Sequence, residues 1–191
     1  MMERATLESF LAPISRQLGH EDVPQYVEPL DYAKNPPARR TDGLSHARLV
    51  DMFADESEKI RVGVHRCKSA EVAKVIKDII KADGEPGSVV FADDHRIERL
   101  EVPQALEKCK KVTSATRWDA SVGRDAMVDA CNAARYGITF AKGGIAETGT
   151  IVQLCDESCG RAISLLPLVH IAIVNAADVK ATMGDWLAEL D

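Results

Sequence analysis

Two side chains of opposite charge in the last third of the chain could together hold and process a small anion. Glu147 lies between small residues in the segment KGGIAETG, and the chain has no other carboxylate between Asp129 and Asp156. Arg161 follows, and its planar guanidinium can bind two oxygens of a carboxylate or phosphate at once. Glu147 could act as a general base, a nucleophile or a hydrogen-bond anchor for a hydroxyl. These residue types predict a binding or catalytic site in which Glu147 is the catalytic residue.

Small and polar residues near this pair could complete the site. Paired glycines permit backbone conformations that other residues avoid, and they could present free amides to an anion. Hydroxyls and an imidazole could hold the remaining ligand oxygens. The predicted substrate-binding residues are Gly143, Gly144, Thr148, Thr150, Arg161, Ser164 and His170.

A purely structural interpretation of the same residues stays open. Arg161 could form an ion pair with Glu147 or Asp156 that only fixes a loop, because structural ion pairs are common. A lone histidine at the start of a strand, such as His170, is usually a hydrogen-bonded structural residue.

The run IAETGTIV at 145–152, an arginine, SLLP at 164–167 and then His170 together resemble a known family. It is the LUD domain family, and within it the LutC/YkgG group of lactate utilization proteins. The resemblance extends from about residue 60 to the C-terminus. It implies a fold similar to that of the sugar-phosphate isomerase, CoA-transferase and formyltetrahydrofolate cyclo-ligase group. It also implies a part in the oxidation of L-lactate to pyruvate, beside a cysteine-rich protein and an iron–sulfur protein that carries its own LUD domain.

No sequence motif for a redox cofactor is present. The chain lacks a GxGxxG fingerprint in the right context, a GxxxxGK[ST] phosphate loop and a CxxCxxC cluster motif. We therefore expect no cofactor and no metal in this chain, and electrons that pass through partner proteins. Two other functions remain open. One is a stand-alone isomerase, CoA-transferase or cyclo-ligase-like enzyme that acts on a phosphorylated or CoA-linked metabolite, and the other is a non-catalytic ligand-sensing or scaffold module.

Two further clusters contain residue types that bind metals. Asp93, Asp94 and His95 are adjacent, and adjacent residues seldom converge on one ion, so a polar turn is the favoured interpretation. Cys155 and Cys159 have no second pair to complete a zinc or iron–sulfur site. We expect ordinary thiols that could oxidise to a pair if the loop brings them together.

The composition excludes some classes of protein. The 191 residues carry a formal net charge of −6, which argues against nucleic acid as a partner. No apolar run approaches the roughly 18 residues of a membrane span, and no signal peptide is evident. Five cysteines, an odd number, do not suggest a disulfide framework, so that we expect a cytoplasmic protein.

The hydrophobic pattern divides the chain at about residue 41. Residues 1–41 predict a helix followed by a proline-rich arm, which either packs on a partner subunit in a homo-oligomer or folds back on its own domain. Residues 42–191 alternate helical and extended patterns, which predicts an α/β fold with helices around a mostly parallel, mixed central sheet. The predicted strands are 60–65, 89–91, 138–141, 150–154 and 171–174, and the predicted helices are 44–54, 69–80, 125–134 and 179–190.

Overall fold

The computed structural model describes residues 4–24, 26 and 39–190 and divides into two units, Met1–Arg39 and Arg40–Asp191. In the first unit, helix α1 (Arg4–Gln17) confirms the predicted N-terminal helix and contains Pro13. Its apolar side chains at positions 7, 10 and 14 are exposed, and so is Leu18 directly after the helix. The Ser15 hydroxyl is buried and donates to the carbonyl of Asp22 at 2.7 Å, which fixes the chain after the helix. Most of the predicted proline-rich arm, at 25 and 27–38, lies outside the described residues.

The second unit alternates helices and strands. In chain order its elements are α2 (His46–Lys59), α3 (Val72–Asp83), β1 (Gly87–Phe91), α4 (His95–Arg99), α5 (Val102–Glu107), β2 (Val112–Arg117), α6 (Arg124–Ala133), β3 (Tyr136–Phe140), β4 (Gly143–Ile145), β5 (Thr150–Val152), α7 (Ala162–Leu165), β6 (Val169–Ile173), β7 (Val179–Lys180) and α8 (Met183–Leu190).

A four-stranded, fully parallel sheet with the order β2-β1-β3-β6 forms the centre of this unit. The chain moves from β1 to β2 through α4 and α5, and then back past β1 to β3 through α6. Because parallel crossovers are right-handed, these two steps in opposite directions set α5 and α6 on opposite faces of the sheet. The result is the predicted α/β fold, with helices around a mostly parallel sheet.

The core lies between this sheet and its helices. Val89, Tyr136 and Ile138 from the strands are fully buried, and so are Ile97 of α4 and Ile163 of α7. The Tyr136 hydroxyl donates to the Asp83 carboxylate at 2.7 Å, so that its polar end is satisfied. Residues 136–139 of β3 are all buried, so that both faces of this strand are covered.

A second, three-stranded sheet has the order β5-β4-β7, in which β4 is antiparallel to β5 and parallel to β7. Only two residues separate β4 from β3. The Ala141 amide donates to Ile173 at 2.8 Å in the first sheet, and the Lys142 amide donates to Val152 at 2.9 Å in the second. The predicted antiparallel pairing thus occurs outside the central sheet, next to α2 and α8.

The structure differs from the predicted elements at several places, and it contains α4, α5, β4 and α7, for which no element was predicted. Residues 60–65 are not a strand, and Ile60 and Val62 are exposed. The edge strand β2 was not predicted. The C-terminal helix begins at Met183, because Val179 and Lys180 pair with β4 instead. No helix in the described part of the chain combines the length and hydropathy that crossing a bilayer requires.

Candidate functional site

Glu147 lies in the tight turn between β4 and β5. Its amide donates to the carbonyl of Ala181 at 3.1 Å, and the preceding amide of Ala146 donates to Lys180 at 2.8 Å. On the other side of the turn, Gly149 has a φ of +64° and lies against α2, where a Cβ would come within 2.5 Å of the Ser57 nitrogen. The Ser57 hydroxyl donates to the Gly149 carbonyl at 3.2 Å. These contacts hold the backbone of the turn between α2 and residues 180–181.

The side chains of this turn leave polar groups at the surface. Glu147 is partly buried, and its carboxylate has no hydrogen bond or ion pair with any residue of 4–24, 26 or 39–190. Thr148 and Thr150 are exposed, and their hydroxyl oxygens lie 2.8 Å apart. One carboxylate and two hydroxyls therefore form a small polar surface that could hydrogen-bond a ligand hydroxyl.

Gly143 and Gly144 lie in strand β4 and not in a loop. Their backbones pair with Val152 and Ile151 of β5, so that the expectation of free loop amides was wrong. Both positions are glycine for steric reasons. A Cβ on Gly143 would lie 2.1 Å from the Asp178 carbonyl oxygen, and one on Gly144 would lie 2.7 Å from the Phe53 ring.

Arg161 directly precedes α7 and is exposed. The guanidinium forms no ion pair within the described residues, so neither Glu147 nor Asp156 is its partner there. Asp156 instead accepts hydrogen bonds from the Ser158 hydroxyl and amide at 2.6 and 2.8 Å, and these bonds hold the pKa of Asp156 below its usual range. Ser164 donates its hydroxyl to the Arg161 carbonyl at 3.1 Å and so stabilises the first turn of α7.

Glu147 and Arg161 belong to different parts of the second unit. Glu147 lies in the small sheet, in the turn from β4 to β5. Arg161 instead precedes helix α7, which packs over β3, where a Cβ on Gly137 would lie 2.0 Å from the Ile163 carbonyl oxygen. A groove of about 490 Å³ beside β2 and a cavity of about 530 Å³ in the first unit are lined by neither residue. That Glu147 and Arg161 border a common pocket stays a prediction.

His170 lies in β6 beside Gly137, and its Nε2 is 2.9 Å from the hydroxyl of the fully buried Thr139. Burial lowers the pKa of His170 from its ordinary value, because the charged imidazolium would lose its hydration. A neutral, hydrogen-bonded imidazole fits the structural interpretation of His170. No contact among the described residues tests the predicted role of His170 in substrate binding, which stays a prediction.

The Asp93-Asp94-His95 segment forms a polar turn at the carboxyl end of β1. Asp94 caps α4 by accepting from the Arg96 amide at 2.8 Å, and it pairs with the Arg96 guanidinium at 2.6 Å. Burial alone would raise the pKa of Asp94, but the hydrogen bonds from Arg96 lower it by more, so that the pKa lies below its usual value. Asp93 pairs with Arg117 at 2.9 Å. Among the described residues no group of three or more His, Cys, Asp or Glu side chains could hold a metal ion.

A loop at 153–160 covers the carboxyl ends of β1 and β2, which the sequence alone did not indicate. The Asp93 amide donates to Ser158 at 2.8 Å, and the Trp118 indole donates to Glu157 at 3.1 Å. Gly160 lies so close to the Trp118 ring that a Cβ would come within 2.1 Å. The rule that ligands bind at the carboxyl ends of parallel strands is the signal that could have drawn attention to Trp118.

The two cysteines of this loop differ in environment. Cys159 is buried, which raises the pKa of its thiol to about 12, and Cys155 is exposed. Asp156 and Cys159 are opposite each other in an antiparallel bridge. The charge of a Cys155 thiolate also helps to raise the pKa of Cys159, so the two thiols are near enough to interact electrostatically. Both are free in the structure, and their oxidation to a pair stays a prediction.

Comparison with known proteins agrees with this architecture. The family model of the LUD domain matches residues 50–190, and the chain belongs to the LUD domain family. Among its relatives, the chain is 30% identical over 177 residues to a lactate utilization protein C of Anoxybacillus flavithermus, with coverage of 93% of this chain and 77% of that protein. It is also 30% identical over 179 residues to lactate utilization protein C of Bacillus subtilis, with coverage of 92% and 73%.

A solved structure shows the same fold. The crystal structure of a DUF162 family protein from Deinococcus radiodurans matches with a TM-score of 0.58 and 22% sequence identity, over 77% of this chain and 80% of that one. At this level of identity the match extends to the fold alone. The predicted family and fold are thus confirmed.

Proposed function

We propose that this chain is a subunit of an iron–sulfur-dependent system that oxidises L-lactate to pyruvate. The observation that carries the proposal is its 30% identity, over nearly its whole length, to proteins named lactate utilization protein C. Within the system, this subunit binds a small carboxylate or a partner protein near Glu147, Thr148, Thr150, Arg161 and Ser164, on the prediction that Glu147 and Arg161 border a common pocket. The partners are an iron–sulfur protein and a cysteine-rich protein, which receive the electrons.

The chemistry of lactate suits these side chains. A guanidinium without an ion-pair partner in the described part of the chain is free to bind the lactate carboxylate through two hydrogen bonds. Glu147 would accept a hydrogen bond from the hydroxyl on the adjacent carbon, with the two threonine hydroxyls beside it. Oxidation to pyruvate removes two protons and two electrons. Glu147 would take the hydroxyl proton, and the remaining proton and the electrons would leave through the partner proteins.

Replacement of the two charged residues tests the proposed site. We expect Arg161→Ala to weaken lactate binding by about tenfold or more, because a hydrogen-bonded charge pair contributes roughly 1.5–3 kcal/mol. We expect Glu147→Gln to bind lactate but to lower lactate-dependent dye reduction strongly in the presence of both partners. Calorimetric titration and the dye assay measure these two effects. Arg99→Ala is the matched control, since Arg99 is also an exposed arginine without an ion pair among the described residues.

Two outcomes contradict the proposal at different levels. If both variants bind lactate and support dye reduction like the unchanged protein, the site is wrong although the function can stand. If the unchanged chain neither associates with the two partners nor supports dye reduction, the function itself is wrong. A melting-temperature shift with CoA or a sugar phosphate, and none with lactate, would favour a stand-alone enzyme.

A further inference from the structure

Ser57 is a buried polar residue on the face of α2 that packs on the small sheet. Only 3% of the residue is exposed, and Phe53, one turn earlier in the helix, lies against Gly144 of β4. Alanine is a better helix former than serine and is of similar size. A buried hydroxyl, in contrast, needs a hydrogen-bond partner. The serine therefore indicates that α2 makes a polar contact at this position.

That contact is with the turn that carries Glu147. The Ser57 hydroxyl lies 2.7 Å from the Phe53 carbonyl oxygen and 3.2 Å from the carbonyl oxygen of the buried Gly149. The Phe53 carbonyl can also accept the backbone amide four residues later in the helix. For the Gly149 carbonyl, no backbone amide in the described part of the chain is a donor. The Ser57 hydroxyl is therefore the group that satisfies this carbonyl.

Ser57 is itself held firmly at the end of α2. Its carbonyl accepts hydrogen bonds from the amides of Ile60 and Val62 at 3.2 and 3.1 Å, because the chain folds back on the last turn of the helix. Its amide nitrogen lies so close to Gly149 that a Cβ there would approach it to 2.5 Å. The Gly149 peptide thus rests on a fixed part of the helix.

The position of Gly149 affects the polar groups on both sides of it. Thr148 and Thr150 are its direct neighbours, and their hydroxyl oxygens lie 2.8 Å apart. Glu147 is two residues before Gly149, and its amide donates to the Ala181 carbonyl at 3.1 Å. The turn is therefore held on one side by residue 181 and on the other by Ser57. A group that accepts a proton must lie within hydrogen-bond reach of it, and a misplacement of about 1 Å can lower a rate by about 100-fold.

We propose that Ser57 is a positioning residue of the Glu147 site. Its hydroxyl holds the Gly149 carbonyl and so fixes the Glu147 carboxylate where it accepts the proton of the lactate hydroxyl. This inference rests on the proposed function, since Ser57 touches no substrate and acts only through Glu147. The hold of the hydroxyl on the turn can be measured without lactate and without partner proteins.

The first test is hydrogen exchange of the full chain with the substitution Ser57→Ala. The amides of Ala146 and Glu147, which donate to residues 180 and 181, should exchange at least about threefold faster, because the turn has lost one of its two holds. The Ala92 amide, which donates to Ile138 in the central sheet, is the internal reference. Its rate should change less, which separates local loosening of the turn from a general loss of stability.

The second test measures lactate-dependent dye reduction in the presence of both partners. Ser57→Ala should lower the rate at least about fivefold and change the Kd for lactate less than about twofold, because the base is misplaced while the carboxylate is still bound. In a Glu147→Gln background the same substitution should cause no further loss of rate. A merely structural role would lower the rate by the same factor in both backgrounds.

Ser88→Ala is the matched control. The Ser88 hydroxyl also donates to a backbone carbonyl at 3.2 Å, that of Ala133, but it lies in β1 and away from the turn. This variant should leave both the dye reduction and the exchange at residues 146–147 unchanged. If Ser57→Ala fails to fold, Ser57→Cys serves instead, because a thiol has a similar shape and is a weak donor.

Each possible failure has a separate meaning. Unchanged exchange at residues 146–147 overturns the hold of Ser57 on the turn. If the unchanged chain is active and Ser57→Ala is equally active, or loses the same factor with and without Glu147, the proposed function stands and the positioning role is wrong. If the unchanged chain shows no dye reduction with both partners, the proposed function and the positioning role are overturned together.

Discussion

Trp186 and the two glycines of β4 show how single residues fix the small sheet. The Trp186 side chain is buried, and its indole donates to the Gly144 carbonyl at 2.9 Å. The ring also lies over Gly143, where a Cβ would come within 2.2 Å of it. The Trp186 ring therefore fills the space that a side chain on β4 would occupy. Helix α8 can pack this closely on the strand only because these residues are glycines.

Substitution of Gly143 should separate this packing role from a binding role. Gly143→Ala should lower stability by roughly 1–3 kcal/mol, because the added methyl group collides with the Asp178 carbonyl and the Trp186 ring. Gly184→Ala is the matched control in α8, where the nearest atom lies 3.6 Å away. It should raise stability by about 0.5–1 kcal/mol, since alanine favours a helix. Urea denaturation measures both, and equal stability of the two variants would contradict the packing role.

His170 should make stability depend on pH. Its ordinary pKa of 6.5 applies to the unfolded chain, and burial lowers the pKa in the folded chain. Between these two pKa values the unfolded chain binds a proton that the folded chain does not. The stabilising contribution of the neutral His170 is therefore complete above pH 6.5, and it is lost as the pH falls toward the folded pKa.

The pH dependence can be assigned to this residue by substitution. His170→Gln should reduce the loss of stability below pH 6.5, by at most about 1.4 kcal/mol per pH unit for one proton. His95→Gln, at an exposed histidine, should retain the steeper dependence of the unchanged protein. The measurement is urea denaturation at several pH values from neutral to mildly acidic. Identical pH profiles for all three proteins would show that His170 is not the group responsible.

At the level of elements, periodicity predicted the buried strands and the long helices well. The apolar residues of α3 and of the strand that ends at Phe91 are buried or partly buried in the structure. Their regular spacing in the sequence therefore predicted both elements. β2 was missed because almost all of its residues are exposed, and an edge strand needs no apolar alternation. Residues 60–65 alternate in the same way as a strand, but no strand in the described part of the chain pairs with them. An alternating hydrophobic pattern indicates a preference for extended structure, whereas a β-strand also needs a neighbouring strand with which to form hydrogen bonds.

The candidate site was predictable in its residue types but not in its arrangement. The GG pair of the KGGIAETG segment suggested a loop, because the sequence does not show that Trp186 and Phe53 fill the space above the glycines. Arg161 and Glu147 are close in sequence, yet the turns between them assign them to different elements. Distances between loops depend on tertiary packing, and neither local propensity nor spacing encodes that packing.

For the whole molecule, the large hydrophobic core belongs to the second unit. Among residues 4–24, 26 and 39–190, the buried residues of this core lie between Ile76 and Ile171. The ion pair between Arg40 and Glu56, at 2.5 Å, also lies within the second unit. The second unit thus has a hydrophobic core of its own.

Removal of residues 1–39 should leave a folded protein. We expect the shortened chain to unfold in one cooperative transition with a melting temperature close to that of the full chain, because its core is complete. Circular dichroism during heating measures the transition, and light scattering compares the oligomeric states. A loss of cooperative unfolding would contradict the independence of the second unit. A smaller oligomer would support the hypothesis that the N-terminal arm packs on a partner subunit.

The ten residues from Tyr136 to Ile145 supply an interior strand to each of the two sheets in turn. Because no flexible linker separates these two strands, we expect local unfolding of one sheet to disturb the main chain in the middle of the other. The sheet that contains Phe140 and the sheet that contains Ile145 should therefore unfold together. The polar turn at Glu147 directly follows β4, and we therefore expect it to share the rigidity of the parallel sheet.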